Sequence, residues 1–390
     1  MRIVNKVSLV LGALTSLAVS APIDLSGAVK QHNKRDVVVV TNYVYVDEMS
    51  HEQQSADLAP APAPSAEVPQ YAPSANPEQQ VETVVSLAPE SAPESVPAQE
   101  SAPSSTPAPA TLSNDRVFSG LTYSPYQSDG SCGTYESVAA DLIKVGQITG
   151  NIRIYSTDCS QLDYITQAIT QNNLSLKVHA GIWTSNGSDR VSSETADLIR
   201  VLSNPANRNV IADVSVGNEE IYKGAMDEAT LIGYINSVRS ALRQNGYSLP
   251  VYTTEIDSLY SSNLIEASDL VQANIHSCFG GDNVSPKDLA TLTVNRYNAL
   301  KARAGSKYVR IGETGFPSSG QTSNCQGSIE NQDAYTASFV CQARANNIDY
   351  FYFEAKDSLW KVNAPSYERS YGVLNSDASA KINLGFLGQC

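Results

Sequence analysis

From residue 36 to residue 110 the chain has no lysine, no arginine and no cysteine, while eleven carboxylates fall in the same stretch. The segment is dense in Pro, Ala, Ser and Glu, as in "APAPAPSAEVPQYAPSANPEQQ". Such a composition cannot bury enough apolar surface to offset chain entropy, which excludes a packed domain here and predicts a disordered, polyproline-like stalk. Its Ser, Thr and Pro content suits O-linked sugars. Histidine is scarce, with four in 390 residues, and the six cysteines contain no Cys-x-x-Cys pair. Neither supplies the ligand spacing of a zinc site, so no metal and no cofactor are expected. Basic charge is also short, 26 Lys and Arg against 40 Asp and Glu for a formal net charge of −14, which argues against nucleic-acid binding. Apolar runs are too short to span a bilayer, and the tail "KINLGFLGQC" lacks the hydrophobic stretch of a lipid-anchor signal, so no membrane anchor is expected.

The N-terminus carries Arg2 and Lys6, an apolar run from Val7 to Val19, and the small residues Ala18, Ser20 and Ala21. This is the pattern of a secretory signal peptide cut after Ser20. A second cut is expected at the dibasic pair Lys34–Arg35 in "NKRDVVVV". The organisation read from the sequence is a signal peptide over 1–20, a propeptide over 21–35, a stalk over 36–110 and one large domain over 111–390. Residues 1–35 carry +4, so their removal would leave −18. All six cysteines, Cys132, Cys159, Cys278, Cys325, Cys341 and Cys390, follow the stalk. An even count in a secreted chain implies disulfides, and six cysteines allow 15 pairings. Sequons at Asn173, Asn186 and Asn283 make these three the N-glycosylation candidates. The protein is expected to be secreted, at the cell surface or in the cell wall.

Within 111–390 the pattern alternates strand and helix. Eight strands are predicted: "FSGLTYSPY" from Phe118, "NIRIYSTD" from Asn151, "LKVHAGIWT" from Leu176, "VIADVSVGNE" from Val210, "VYTTEID" from Val251, "LVQANIHS" from Leu270, "YVRIGETGFP" from Tyr308 and "YFYFEAKD" from Tyr350. Segments such as "SVAADLIKVGQI", "YITQAITQNN", "ETADLIRVLSN" and "EATLIGYINSVRSALRQNG" place apolar residues at helical spacing between them. The link "SLYSSNLIEASD" between the fifth and sixth strands is the weakest helix. Eight such units imply parallel strands with crossover helices, closed as a (β/α)8 barrel. An open doubly wound sheet is the alternative, but "YSPYQSDGSCG" stands where its Gly-rich phosphate loop would follow the first strand.

A barrel of this kind keeps its active site at the C-terminal ends of its strands. Those ends supply Tyr123, Tyr126, Arg153, Tyr155, Asp158, Trp183, Asn218, Glu219, Glu255, Asp257, His276, Glu313, Glu354 and Lys356. Carboxylates can donate protons and attack an acetal carbon, and aromatic rings offer flat faces to pyranoses. Glu219 in "SVGNEE" and Glu313 in "RIGETGFPSSG" are the best pair, on strands that face each other across the barrel. Glu220, by alternation, should point away from the pocket and serve the structure.

Taken together, "SVGNE", "IRIYSTDC", "IGETGFPSSG" and "FYFEAKDSLWK" resemble glycoside hydrolase family 17, the fungal β-1,3-glucanase and glucanosyltransferase group, over about residues 117–390. The signal peptide, dibasic pair and stalk resemble those of the yeast soluble cell wall proteins and cell-surface mannoproteins. The resemblance implies β-1,3-glucan as substrate, Glu219 as acid/base, Glu313 as nucleophile, and Asn218 placed to bond the sugar 2-hydroxyl. Glu219 would need a raised pKa, and Arg153 or Tyr155 could hold Glu313 ionised. The remaining substrate-binding candidates are Tyr123, His276, Glu354, Lys356 and Trp360. The last motif departs from the usual "FEAFDEPWK", with Lys356 and Ser358 in place of an aromatic and an acid, which touches acceptor preference. A monomer is expected. The competing reading is a structural or adhesive wall mannoprotein whose barrel binds glucan without turnover.

Overall fold

The computed structural model describes residues 116–280, 284–385 and Cys390. The expected signal peptide, propeptide and stalk, and the sequon at Asn283, lie outside the described residues.

All eight strands form where the alternating pattern placed them: β1 (Gly120–Thr122), β2 (Asn151–Arg153), β3 (Lys177–Ile182), β4 (Ile211–Asn218), β5 (Val251–Ile256), β6 (Val271–Asn274), β7 (Val309–Thr314) and β8 (Tyr350–Tyr352). Each pairs in parallel with its neighbours in sequence, and β8 closes on β1 with Gly120 opposite Phe351. The result is the expected (β/α)8 barrel.

The helices are α1 (Tyr135–Ile148), α2 (Gln161–Gln171), α3 (Ser188–Ser203), α4 (Pro205–Arg208), α5 (Glu228–Gln244), α6 (Ser262–Ala267), α7 (Pro286–Ala304) and α8 (Ile329–Ala345). Local chemistry fixes their starts. Thr134 and Ser137 cap α1 reciprocally, Asp227 accepts the Thr230 N–H at the head of α5, and Ser285 caps α7 with Pro286 in its first turn. In α5 the buried residues Leu231, Ile235, Val238 and Leu242 recur every three or four positions, the stripe that packs on the sheet. The weak fifth-to-sixth link is indeed the poorest crossover, since α6 has only six residues. The sequence reading missed α4, although Asn204 and Pro205 supply an N-cap and an N1 proline.

Inside the barrel one layer is polar. His179 from β3, Asp213 from β4, Tyr252 from β5, Gln272 from β6 and Arg310 from β7 are all buried. His179 Nδ1 lies 2.8 Å from Asp213 Oδ2, the Tyr252 hydroxyl donates to Asp213 Oδ1 at 2.7 Å, and Arg310 Nε donates to Gln272 Oε1 at 2.7 Å. Burial alone would raise the pKa of Asp213, but His179 and Arg310 outweigh it and hold the group at about 2. The layer lies below the strand ends that carry the candidate site.

Three disulfides resolve the pairing that the sequence left open: Cys132–Cys159, Cys278–Cys325 and Cys341–Cys390. Asn173 and Asn186 are both exposed.

Candidate active site

A cleft of about 590 Å³ opens over the C-terminal ends of the strands, and both Glu219 and Glu313 line it. Glu313, the fifth residue of β7, is buried. Its Oε1 accepts from Arg153 Nη1 at 2.9 Å and from the Tyr155 hydroxyl at 2.8 Å, and its Oε2 lies 3.2 Å from His276 Nε2. Burial pushes its pKa up, but the His276 bond, the Arg153 charge and the Tyr155 bond more than reverse that, leaving it at about 2. Burial pushes the Tyr155 phenol well above its ordinary range, so it stays protonated as a donor. Arg153 and Tyr155, expected as donors to Glu313, both bond its Oε1.

Glu219 follows the last residue of β4 and is only partly buried. Its backbone is left-handed, with φ of +60°. Asn274 Nδ2 donates to its Oε1 at 2.7 Å, and among the described residues its Oε2 makes no hydrogen bond. One network links the two carboxylates. Arg153 Nη2 donates to Asn218 Oδ1 at 2.7 Å, Arg153 Nη1 reaches Asn274 Oδ1 at 3.4 Å, and Asn274 Nδ2 donates to Asn218 Oδ1 at 3.1 Å. Gly312 makes room for it, because a Cβ there would stand 2.8 Å from Asn274 Oδ1. Asn218 spends only its carbonyl oxygen, and its amide nitrogen has no acceptor among the described residues.

Aromatic rings line the rest of the cleft. Trp360 packs on Tyr126 with centroids 4.9 Å apart, and Trp183 carries Lys223 Nζ 5.8 Å from its ring. The buried Glu194 accepts the Trp183 backbone N–H at 2.7 Å. Glu354 is buried in the wall, with Oε2 accepting from Ser358 at 2.7 Å and Oε1 without a partner among the described residues. Burial, joined by the charges of Asp357 and Glu313, overcomes Lys361 and Ser358 and raises it to about 7.

Four substrate-binding candidates do not line the cleft: Arg153 and His276 lie behind it as partners of Glu313, and Tyr123 and Lys356 sit elsewhere. Tyr123 is buried and its hydroxyl donates to Asp141 Oδ2 at 2.8 Å, and Lys356 forms an ion pair with the same Asp141. Neither lines the cleft; both tie their strand ends to α1. Strand-end position is no guarantee of direction, since successive side chains alternate faces. Glu220, by contrast, is buried outside the cleft lining, as alternation implied. The sequence reading missed Asn274, although it stands two residues before His276 and so faces the same way. It also missed Lys361, whose Nζ sits 5.0 Å from the Phe353 ring at the cleft wall. No cluster able to hold a metal ion is found among the described residues.

Comparison with known proteins places this cleft in a family. The pattern of the BtgE/BtgC glycoside hydrolase domain matches residues 120–372. A btgC protein of Aspergillus niger is 30% identical over 293 residues, covering 68% of this chain and 43% of that one. The glucan endo-1,3-beta-glucosidase btgC of Emericella nidulans is 27% identical over 293 residues, 68% of this chain and 45% of its own. The chain thus spans less than half the length of these relatives. Among solved structures, the glycoside hydrolase family 17 beta-1,3-glucanosyltransferase of Rhizomucor miehei superposes with a TM-score of 0.61 at 25% identity, covering 69% of this chain and 97% of that one. The domain pattern runs from β1 to beyond β8 and takes in both cleft carboxylates, so the chain belongs to the BtgE/BtgC glycoside hydrolase family, in keeping with the family 17 resemblance of its motifs.

Proposed function

We propose that the protein is a retaining β-1,3-glucan-active glycosidase in which Glu313 is the nucleophile and Glu219 the acid/base. The observation that carries this reading is the unequal setting of two carboxylates on one cleft. Glu313 receives Arg153, Tyr155 and His276 and is held ionised, whereas Glu219 has a single amide donor and one oxygen free of protein partners among the described residues. A cleft that sets two carboxyl groups apart in this way divides the labour of glycoside hydrolysis.

In the first step Glu313 attacks the anomeric carbon, the glycosidic bond breaks toward its oxygen, and that oxygen takes the Glu219 proton. In the second, Glu219 removes a proton from water or from a sugar hydroxyl, the oxygen attacks the same carbon, and the Glu313 ester bond breaks. Two inversions retain the β-configuration. Water as acceptor gives hydrolysis and sugar gives transfer. Asn218 offers its amide nitrogen to the sugar 2-hydroxyl, and Trp183, Tyr126 and Trp360 present ring faces to pyranoses.

We further propose that the enzyme acts in the fungal cell wall as a secreted glycoprotein. The leader, the dibasic pair and the stalk support this, as do three disulfides of the kind that persist in an oxidising compartment and the exposed sequons at Asn173 and Asn186. The test is to incubate the purified protein with reduced β-1,3-gluco-oligosaccharides, resolve the products by size and follow the first anomer by proton NMR. Shorter products alone mean a hydrolase and longer ones a transferase, with the β-anomer first in both. No turnover would leave a glucan-binding wall protein, and an α-anomer first would remove Glu313 as nucleophile.

A further inference from the structure

Glu219 bears side-chain chemistry on a backbone that only glycine adopts freely. Its φ of +60° is left-handed, and a residue held there depends on its surroundings to stay. The neighbouring strand β5 supplies them. On one side of the residue, the Glu219 N–H donates to the Thr254 carbonyl at 2.8 Å. On the other, the Ile221 N–H donates to Glu255 Oε1 at 2.7 Å and the Tyr222 N–H approaches Glu255 Oε2 at 3.4 Å. Consecutive residues of β5 therefore grip the chain on both sides of Glu219. The Glu255 carboxyl is fully buried and does not line the cleft, so it does not touch substrate. Burying a carboxyl is costly, and an apolar side chain here would leave the Ile221 N–H without its partner.

We infer that Glu255 is a positioning residue that acts through Glu219, holding the turn after β4 so that the Glu219 carboxyl meets the leaving oxygen. This rests on the reading of Glu219 as acid/base. Displacing Glu219 harms proton donation and leaves the Glu313 surroundings, built from β2, β6 and β7, in place. A loss confined to proton transfer has a signature that general loosening lacks. It is large when the leaving group needs a proton and small when it does not.

The experiment measures kcat/KM, which reports the first irreversible step, on aryl β-laminaritriosides with phenol or 2,4-dinitrophenol as leaving group. Glu219→Ala is the reference, and should lose at least about 100-fold on the phenyl substrate, retain most of kcat/KM on the dinitrophenyl one and form a β-glycosyl azide when azide is added. Glu255→Ala is expected to lose at least about 30-fold on the phenyl substrate and less than about threefold on the dinitrophenyl one. Glu255→Gln, which keeps an acceptor for the Ile221 N–H, should recover most of that loss. Should Glu255→Ala fail to fold, Glu255→Asp withdraws the same acceptor by one methylene and should show the same selectivity. Equal losses on both substrates, or no loss, overturn the positioning role. If Glu219→Ala shows neither leaving-group dependence nor azide rescue, the acid/base reading itself fails and takes this inference with it.

Discussion

Replacing Tyr155 by Phe removes one hydroxyl and leaves the ring against which the Arg153 guanidinium packs at 4.7 Å. What is lost is a 2.8 Å hydrogen bond to Glu313 Oε1. A hydrogen bond to a charged group is worth roughly 1.5–3 kcal/mol. One pKa unit is about 1.4 kcal/mol, so the lower end of that range moves Glu313 up by about one unit. The acid limb of kcat/KM, expected near pH 2 in the parent because Glu313 is held at about 2, should then rise by about one unit in Tyr155→Phe. The folded pKa lies below the ordinary carboxylate value of 4.5, so the group stabilises the fold above that value and the contribution is lost as pH falls through about 2. Its full size is about 3 kcal/mol, of which the variant forfeits about 1, or roughly 2–4 °C of melting temperature at neutral pH. The assay is a pH–rate profile on an aryl laminaribioside from pH 2 to pH 7, with circular dichroism at each pH to separate ionisation from unfolding. A parent acid limb between pH 4 and pH 5, or a limb unmoved by the substitution while the rate falls, would refute the assignment of Tyr155 as a donor that keeps Glu313 charged.

Glu219→Gln and Glu313→Gln should each lose at least about 100-fold in turnover while remaining folded, Glu313→Gln melting below the parent at neutral pH because it gives up the charge that Arg153 pairs, and Glu220→Gln should stay active; a tenth of parental activity in either of the first two would remove it from the pair. Glu354 has its pKa raised to about 7, so it favours the fold below the ordinary carboxylate range and that advantage is lost as pH rises to neutrality. Glu354→Gln should therefore melt with the parent at pH 4 and above it at pH 8, by up to about 3 kcal/mol; equal melting at both values would mean that Glu354 ionises normally. A chain beginning at Thr111 should keep its circular dichroism spectrum and its activity on soluble oligosaccharides, and loss of either would show that the preceding segment contributes to the fold.

The barrel was legible because each strand and helix carries its own period, two for the strands and near 3.6 for the helices, and eight repeats leave few alternatives. The carboxylate pair was legible because Glu219 and Glu313 stand where the apolar strand pattern of β4 and β7 ends. Direction was harder. Tyr123 and Lys356 also stand at strand ends, yet Asp141 on α1 draws both away from the cleft, a contact between elements distant in sequence. Asn274 was overlooked since an amide inside an apolar strand reads as core, and its role appears only when β2, β4, β6 and β7 are brought together. The cysteine pairing was hidden for the same reason.

Those cysteines anchor the rim unevenly. Cys132–Cys159 joins the segments that follow β1 and β2, and Cys278–Cys325 joins those that follow β6 and β7, the first pair near Tyr126 and the second beside His276. The arc from β3 to β5, which bears Trp183, Glu219 and Glu255, carries no covalent tie among the described residues. The surroundings of Glu313 are thus stapled, while those of Glu219 are kept in register by packing and hydrogen bonds without a covalent tie among the described residues. Reductants and heat reach the two carboxylates by different routes. Thiol treatment is therefore expected to loosen the stapled side and warming the other, so that on heating Glu219, not Glu313, is the cleft carboxylate expected to lose its place first.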